Sequence, residues 1–147
     1  MKQIKEVYPK TPSPCYCLNL RRSSRALTQF YDDTLKASGL TTAQMSLLKH
    51  IQLSETSTIS ELAKTVRIDR TTLNRNMKPL IEAGFIAVKP GKDMRTKLIV
   101  LTESGQTALA EGLSLWNEAQ DALKEYMGTE ALDKLVELLS KLEAIAP

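Results

Sequence analysis

Apolar positions recur at helical spacing over about residues 16–38, where Leu20, Leu27, Phe30, Tyr31 and Leu35 form one stripe and Gly39 supplies a stop. Before that stripe, Pro9, Pro12 and Pro14 make residues 1–15 an extended arm, because proline blocks helix propagation and biases its predecessor to extended backbone. Thr41 and Gln44 have the spacing of a capping box, and Leu47, Leu48 and Ile51 give the second helix, to about residue 53, an apolar side. A polar loop over residues 54–57 leads to a second capping-box pair, Thr58 and Glu61. Ile59, Leu62, Ala63 and Val66 then predict a third helix of about two turns. Arg67, Ile68 and Asp69 connect it to a fourth over about residues 70–83, with Asp69 as N-cap, Leu73, Met77, Leu80 and Ile81 inward and Gly84 as stop. Two short helices joined by a tight turn predict a helix-turn-helix.

The period then changes. Residues 85–89 and 97–101 are short β-prone runs separated by Pro90-Gly91 and a polar tip over residues 92–96, which predicts a hairpin. Thr102 caps a fifth helix to about Met127, Gly128 ends it, and Thr129 caps a sixth to about Ile145. At about 1.5 Å per residue the fifth helix is on the order of 38 Å long, more than a small domain needs. Leu109, Leu113, Trp116, Ala119 and Leu123 on it, and Leu132, Leu135, Leu138, Leu139 and Leu142 on the sixth, make stripes that one copy does not fully bury. The fold class expected is mainly α with a small β-hairpin wing, a winged helix-turn-helix of about six helices. The expected division is an arm (1–15), a first long helix (16–40), a helix-turn-helix with its hairpin (41–101) and long C-terminal helices (102–147), of which the last leave apolar stripes for a second copy to cover. Within the fourth helix, Pro79 removes a backbone donor and crowds the carbonyl of Arg75, so the helix is expected to end early, with residues 80–84 as a separate turn; the other reading is a bend that sets a docking angle.

Composition adds limits rather than detail. With 147 residues, 42% hydrophobic and 25% charged, the chain is long enough for a core and too apolar to be wholly disordered. No uncharged apolar stretch approaches the roughly 18 residues of a membrane span, and the first ten residues lack an apolar leader segment. With two cysteines only, Cys15 and Cys17, the expected location is the cytoplasm. The net charge of +3 hides an asymmetry: residues 1–60 carry +4, residues 61–97 carry +5 and residues 98–147 carry −6. The basic middle segment is either the footprint of a polyanion or scatter on solvated faces.

Duplex geometry favours the footprint. The major groove admits a helix, and the narrow minor groove admits a thin hairpin tip where arginine meets concentrated negative potential. Arg70, Thr71, Thr72, Asn74, Arg75 and Lys78 lie off the apolar side of the fourth helix, a mixture able to hold phosphates and read bases. Arg95 at the hairpin tip is the minor-groove candidate, with Asp93 expected to orient its guanidinium through a bidentate contact. Lys89, Lys92 and Lys97 face phosphates or solvent.

Asp93-Met94-Arg95 followed by Leu98, Leu101-Thr102 and Gly105 resembles the wing signature of the multiple-antibiotic-resistance regulator (MarR) family of bacterial transcription factors. Leu62-Ala63, then Asp69-Arg70-Thr71-Thr72-Leu73, then Leu80-Ile81-Glu82-Ala83-Gly84-Phe85-Ile86 resemble its recognition-helix block. The resemblance covers about residues 18–143. It implies a homodimer whose termini form the interface and whose paired recognition helices read a pseudo-palindromic DNA duplex, commonly as a repressor. It also implies a small aromatic or phenolic effector near the first, second and fifth helices, where Phe30, Tyr31, His50 and Trp116 are the pocket candidates; aromatic residues at this spacing also serve simply as core.

Cys17, Ser23-Ser24-Arg25 and Tyr31 further resemble the branch of the family that senses organic peroxides, in which tyrosine hydroxyls of the partner subunit orient a thiolate. Arg21 stands where that branch has a second tyrosine. The spacing of Cys15 and Cys17 disfavours an internal disulfide, leaving a sulfenic acid, an intersubunit bond or two inert thiols. No cofactor is expected, and a lone histidine without a CxxC pair gives poor ligand arithmetic for a metal. An enzyme is not expected either: there is no phosphate-cradling glycine loop and no GxSxG elbow. A winged-helix module that contacts protein instead of DNA is the remaining rival.

Overall fold

The computed structural model describes residues 3–5, 8–93 and 95–147. Met1, Lys2, Glu6 and Val7 of the expected arm, and Met94 of the wing signature, lie outside the described residues. In chain order the elements are α1 (Tyr16–Leu35), a short 3₁₀ turn (Lys36–Ser38), α2 (Thr42–Ser54), β1 (Ser57–Thr58), α3 (Ile59–Val66), α4 (Arg70–Glu82), β2 (Ile86–Pro90), β3 (Lys97–Leu101), α5 (Glu103–Met127) and α6 (Thr129–Glu143). The described part of the arm has neither helix nor strand. It is tied to α1 where the Ser13 N–H donates to Asn19 Oδ1 (2.8 Å) and Asn19 Nδ2 donates to the Ser13 carbonyl (2.7 Å).

Side-chain caps start four of the helices. The Thr41 hydroxyl accepts from the Gln44 N–H while Gln44 Oε1 accepts from the Thr41 N–H, and Thr58 and Glu61 repeat the exchange. Each box satisfies donors that the first helical turn leaves unpaired. Asp69 caps α4 and Thr102 caps α5. The sixth helix departs from expectation: its N-cap is Gly128, at φ 84°, and Thr129 is the first helical residue. One glycine both closes α5 and opens α6, so no residue is left over for a threonine cap.

Pro79 does not end α4, which runs through it to Glu82. Buried Met77 and Leu80 on either side hold the helix against the core, and the Arg75 carbonyl that loses its donor sits on an exposed residue, where water can satisfy it. Ile81 is 42% exposed, contrary to the inward placement read from spacing. Leu80 takes the inward position of that turn. The hairpin forms with Ile86 opposite Leu101 and Pro90 opposite Lys97. A third strand joins it, beyond what the sequence pattern predicts: Ser57 and Thr58 pair with Ile99 and Leu98, so β3 is central in the order β1-β3-β2. Two polar residues give no alternating signal, and only the tertiary fold reveals the pairing.

One core joins these elements apart from α6. Leu35, Leu48, Ile51, Leu62, Leu73, Leu80, Ile99 and Leu109 are essentially inaccessible and belong to one cluster. Each such side chain contributes roughly 1.5–3 kcal/mol by burial, so the cluster fixes α4 and the sheet relative to α2 and α5. The two ends of the chain differ. No α6 residue is buried, and Val136, Leu138, Leu139 and Leu142 are 38–62% exposed. Along α1, which packs on α5, full burial begins only at the C-terminal turns, at Tyr31, Thr34 and Leu35.

Candidate nucleic-acid interface

The α3–turn–α4 unit is closed by Arg67, which adopts the left-handed conformation (φ 61°, ψ 47°), and by Asp69, whose Oδ1 accepts from the Thr72 N–H at 2.8 Å. The Thr72 hydroxyl donates to Asp69 Oδ2 at 2.9 Å. These bonds hold the Asp69 carboxyl below the usual range. They also engage the half-buried Thr72 in the cap, so its hydroxyl is less free to read a base than the sequence suggests.

Leu73, Met77 and Leu80 turn into the core. The opposite side presents Arg70, Thr71, Asn74, Arg75 and Lys78, all exposed. The far end of α4 is locked to the wing and to α5. The Phe85 N–H donates to the Leu80 carbonyl (2.9 Å), with Gly84 at φ 78°. The Thr102 hydroxyl donates to the Gly84 carbonyl (2.6 Å) and accepts from the Gly105 N–H (3.0 Å), while the Thr102 N–H donates to the Phe85 carbonyl (3.0 Å). Recognition helix, wing and α5 therefore meet at one threonine.

At the wing tip Arg95 is exposed, as expected, but Asp93 does not hold its guanidinium. Asp93 Oδ1 instead accepts from the Arg95 N–H (2.8 Å), the Thr96 N–H (2.8 Å) and the Thr96 hydroxyl (3.0 Å). Aspartate two and three residues before backbone donors forms a local Asx turn at lower entropic cost than ordering a long arginine side chain. The donors lower the Asp93 pKa, and the Arg95 side chain is left to solvent. The ion pairs among the described residues are Arg67–Glu143, Lys134–Glu137 and Lys141–Glu137. Among those residues, then, no cation of α4 or the wing is held in an ion pair.

The pocket candidates are less convergent. Phe30 and Tyr31 meet edge to face with centroids 5.8 Å apart. Tyr31 is buried, its hydroxyl donates to Gln120 Oε1 on α5, and burial raises its pKa. His50 Nδ1 lies 2.7 Å from the Ser46 carbonyl of its own helix, and the half-buried Trp116 packs on the core. Two surface clefts, one around Leu20, Arg21, Ser24 and Arg25 and the other between α3–α4 and the end of α6, include none of these four residues. Cys15 and Cys17 are both exposed at the start of α1. Cys17 and Tyr31 are separated by about 21 Å of helix at ~1.5 Å per residue, so they do not meet within one chain.

No helix among the described residues is long and apolar enough to cross a membrane. Residues 40–105 match a winged helix DNA-binding domain model. A Bacillus cereus protein described as an uncharacterised HTH-type transcriptional regulator is 32% identical over 126 residues, covering 85% of this chain and 84% of that protein. The crystal structure of the M. tuberculosis transcriptional regulator MosR in complex with DNA is similar at 37% identity and TM-score 0.77, over 90% of this chain and 99% of that one. A mutant of E. coli MarR complexed with operator DNA shares the fold at 24% identity and TM-score 0.74, over 84% of this chain and 89% of that one. Helix-turn-helix, wing and full-length similarity agree: the chain belongs to the MarR family of winged-helix transcriptional regulators, DNA-binding proteins rather than enzymes.

Proposed function

We propose that two copies of this chain read a pseudo-palindromic duplex in the cytoplasm and repress transcription until a small aromatic or phenolic effector releases them. In this reading residues 41–101 are the DNA-binding region, residues 16–40 and 102–147 form the dimer, and residues 1–15 are an arm. Arg70, Arg75 and Lys78 hold phosphates, Thr71 and Asn74 reach base edges in the major groove, and Arg95 enters the minor groove. Thr72 and Asp93 act by positioning, through the α4 cap and the wing turn. The observation that carries the reading is α4 itself: it buries Leu73, Met77 and Leu80 and presents cations and an amide to solvent, with Arg95 exposed at the wing tip. The uncovered apolar residues of α6 support the dimer, and Phe30, Tyr31, His50 and Trp116 are the residues through which an effector would act.

The test is fluorescence anisotropy on a duplex from upstream of the protein's own gene, against an unrelated duplex and across salt. Preferential, salt-steep binding that Arg95→Ala weakens is expected. Absence of binding at low salt would favour a protein-interaction module. A second reading rests on the exposure of both cysteines: oxidation of Cys17 by an organic hydroperoxide, with the partner's Tyr31 nearby, releases the DNA. Release that survives Cys17→Ser would refute it.

A further inference from the structure

The basic surface of the helix-turn-helix does not stop at α4. Lys64 in the last turn of α3, Arg67 in the connecting turn and Arg70 at the start of α4 are all exposed and border one cleft of about 1250 Å³. Its opposite wall is the end of α6 with the residues that follow it, including Ser140, Glu143 and Pro147. Across it, Arg67 Nη1 donates to Glu143 Oε1 at 2.5 Å, although the two residues are 76 positions apart.

The backbone at Arg67 makes this pairing informative. A left-handed residue in a helix-turn-helix turn is most easily glycine, which has no Cβ to crowd the carbonyl. The chain places an arginine there with its guanidinium fully out of the core. Nothing in the packing of the turn uses that side chain. Its partner is a carboxylate, which like a phosphate presents two anionic oxygen acceptors to a guanidinium fork.

We propose that Lys64, Arg67 and Arg70 form an additional phosphate-binding edge of the DNA interface, and that Glu143 occupies Arg67 in the free protein as an internal competitor for the DNA backbone. Binding exchanges the Arg67–Glu143 ion pair for an Arg67–phosphate pair, so the end of α6 sets a threshold that the duplex must overcome. The inference rests on the DNA-binding reading above. It extends the phosphate contacts from Arg70, at the start of α4, to Lys64 and Arg67 outside that helix, and it adds Glu143 as a competitor that α4 and the wing do not supply.

Because both partners are mostly solvent-exposed, with side chains 74% and 57% accessible, the effect is modest. Glu143→Gln, in the full chain, is expected to tighten duplex binding by about two- to fivefold, the span of an exposed ion pair. Arg67→Gly suits the left-handed backbone and leaves the fold intact; it is expected to weaken binding by a similar factor. It should also reduce the slope of log affinity against log salt by about 0.9 for each phosphate that is no longer neutralised. In the Arg67→Gly background, Glu143→Gln should have no further effect, and Glu137→Gln, which removes the same charge from α6 beside Lys134 and Lys141, should not reproduce the gain. Anisotropy on the own-gene duplex measures all of these.

The sign separates competition from structural bracing, in which both single substitutions would weaken binding together. An unchanged or weaker Glu143→Gln, or a gain that persists without Arg67, overturns the proposal while leaving wild-type DNA binding intact. Failure of the wild type to bind any duplex would overturn both this inference and the reading beneath it.

Discussion

Gly105→Ala should destabilise the protein although it replaces glycine inside a helix, where alanine is normally favoured by up to about 1 kcal/mol. Gly105 lies in the first turn of α5 against the backbone of the α4–wing junction. A Cβ there would overlap the Phe85 carbonyl oxygen and lie 2.9 Å from its carbon and 2.8 Å from Leu101 Cδ1. That carbonyl cannot step aside alone, because it accepts from the Thr102 N–H and the adjoining Gly84 carbonyl accepts from the Thr102 hydroxyl. Overpacking typically costs about 1–3 kcal/mol, and a backbone obstacle places this case at the upper end or beyond. Strain in one junction hydrogen bond adds up to about 1 kcal/mol. After the propensity gain the net loss is about 2–3 kcal/mol, which for a chain of this length lowers Tm by about 5–10 °C. Thermal unfolding by circular dichroism at fixed protein concentration measures it. Gly112→Ala is the control: its Cβ would meet Leu40 Cδ1 and Met45 Cγ at 3.3 Å, parts of flexible side chains, and should move Tm by only a few degrees. A Tm for Gly105→Ala at or above wild type would refute the claim that this glycine is required by the close approach of the wing.

Asn74→Ala should flatten the preference for the own-gene duplex over single-base variants by about 1–3 kcal/mol at the affected position, read by competition anisotropy; an unaltered preference would remove Asn74 from the base-reading set. Asp93→Ala should accelerate hydrogen exchange at the Arg95 and Thr96 amides, which bond to the Asp93 carboxylate. The Asp93 pKa is lowered in the fold, so its contribution is complete above the ordinary aspartate value of about 3.9 and is lost as pH falls through the lower folded value. Wild-type wing protection should therefore persist at pH 5 and fade only in stronger acid; loss already at pH 5 would contradict the turn assignment. Leu139→Asp should convert a dimer of two 16.4 kDa chains into monomers in sedimentation equilibrium without unfolding them, since Leu139 is already 38% exposed in the single chain. A monomeric wild type would refute the dimer.

Local chemistry is the legible part of the sequence. Thr41–Gln44, Thr58–Glu61, Asp69 and Thr102 act within four residues of themselves, so their capping roles are readable without a fold. Gly105 stands in the family wing signature, and its crowded Cβ gives the physical reason. What the sequence does not disclose is decided by competition between partners. Asp93 has two sets of donors within reach, the Arg95 guanidinium and the nearby backbone, and the short turn wins. At Pro79 the missing hydrogen bond is visible in the sequence, whereas the burial of Met77 and Leu80 that carries the helix past it is not. The role of Arg67 is hidden because its partner lies 76 residues away, although an arginine in a helix-turn-helix turn is itself a signal. The aromatic candidates stand on three helices, α1, α2 and α5, and spacing along a helix does not say whether rings line a cavity or pack on a neighbour.

The connection between the two ends of the molecule follows from α5. Its first turn holds the end of α4 and the wing through Thr102, and seventeen residues after its start Gln120 receives the Tyr31 hydroxyl of α1. Between these points the helix is uninterrupted and keyed into the core by Ala108, Leu109, Gly112 and Ala119. A closely packed helix transmits a displacement along its axis better than it absorbs one. α5 thus joins the α1 contact at Gln120 to the α4–wing junction at Thr102, about 26 Å along the helix at ~1.5 Å per residue. The Arg67–Glu143 ion pair supplies a second path, directly from the end of α6 to the helix-turn-helix turn. The two are separable: Tyr31→Phe breaks the first at Gln120 and leaves the second, whereas Glu143→Gln does the reverse. If the DNA-reading end responds to the α1–α6 end through α5, Tyr31→Phe should alter the effect of a bound effector on duplex affinity without the effector-independent gain expected of Glu143→Gln.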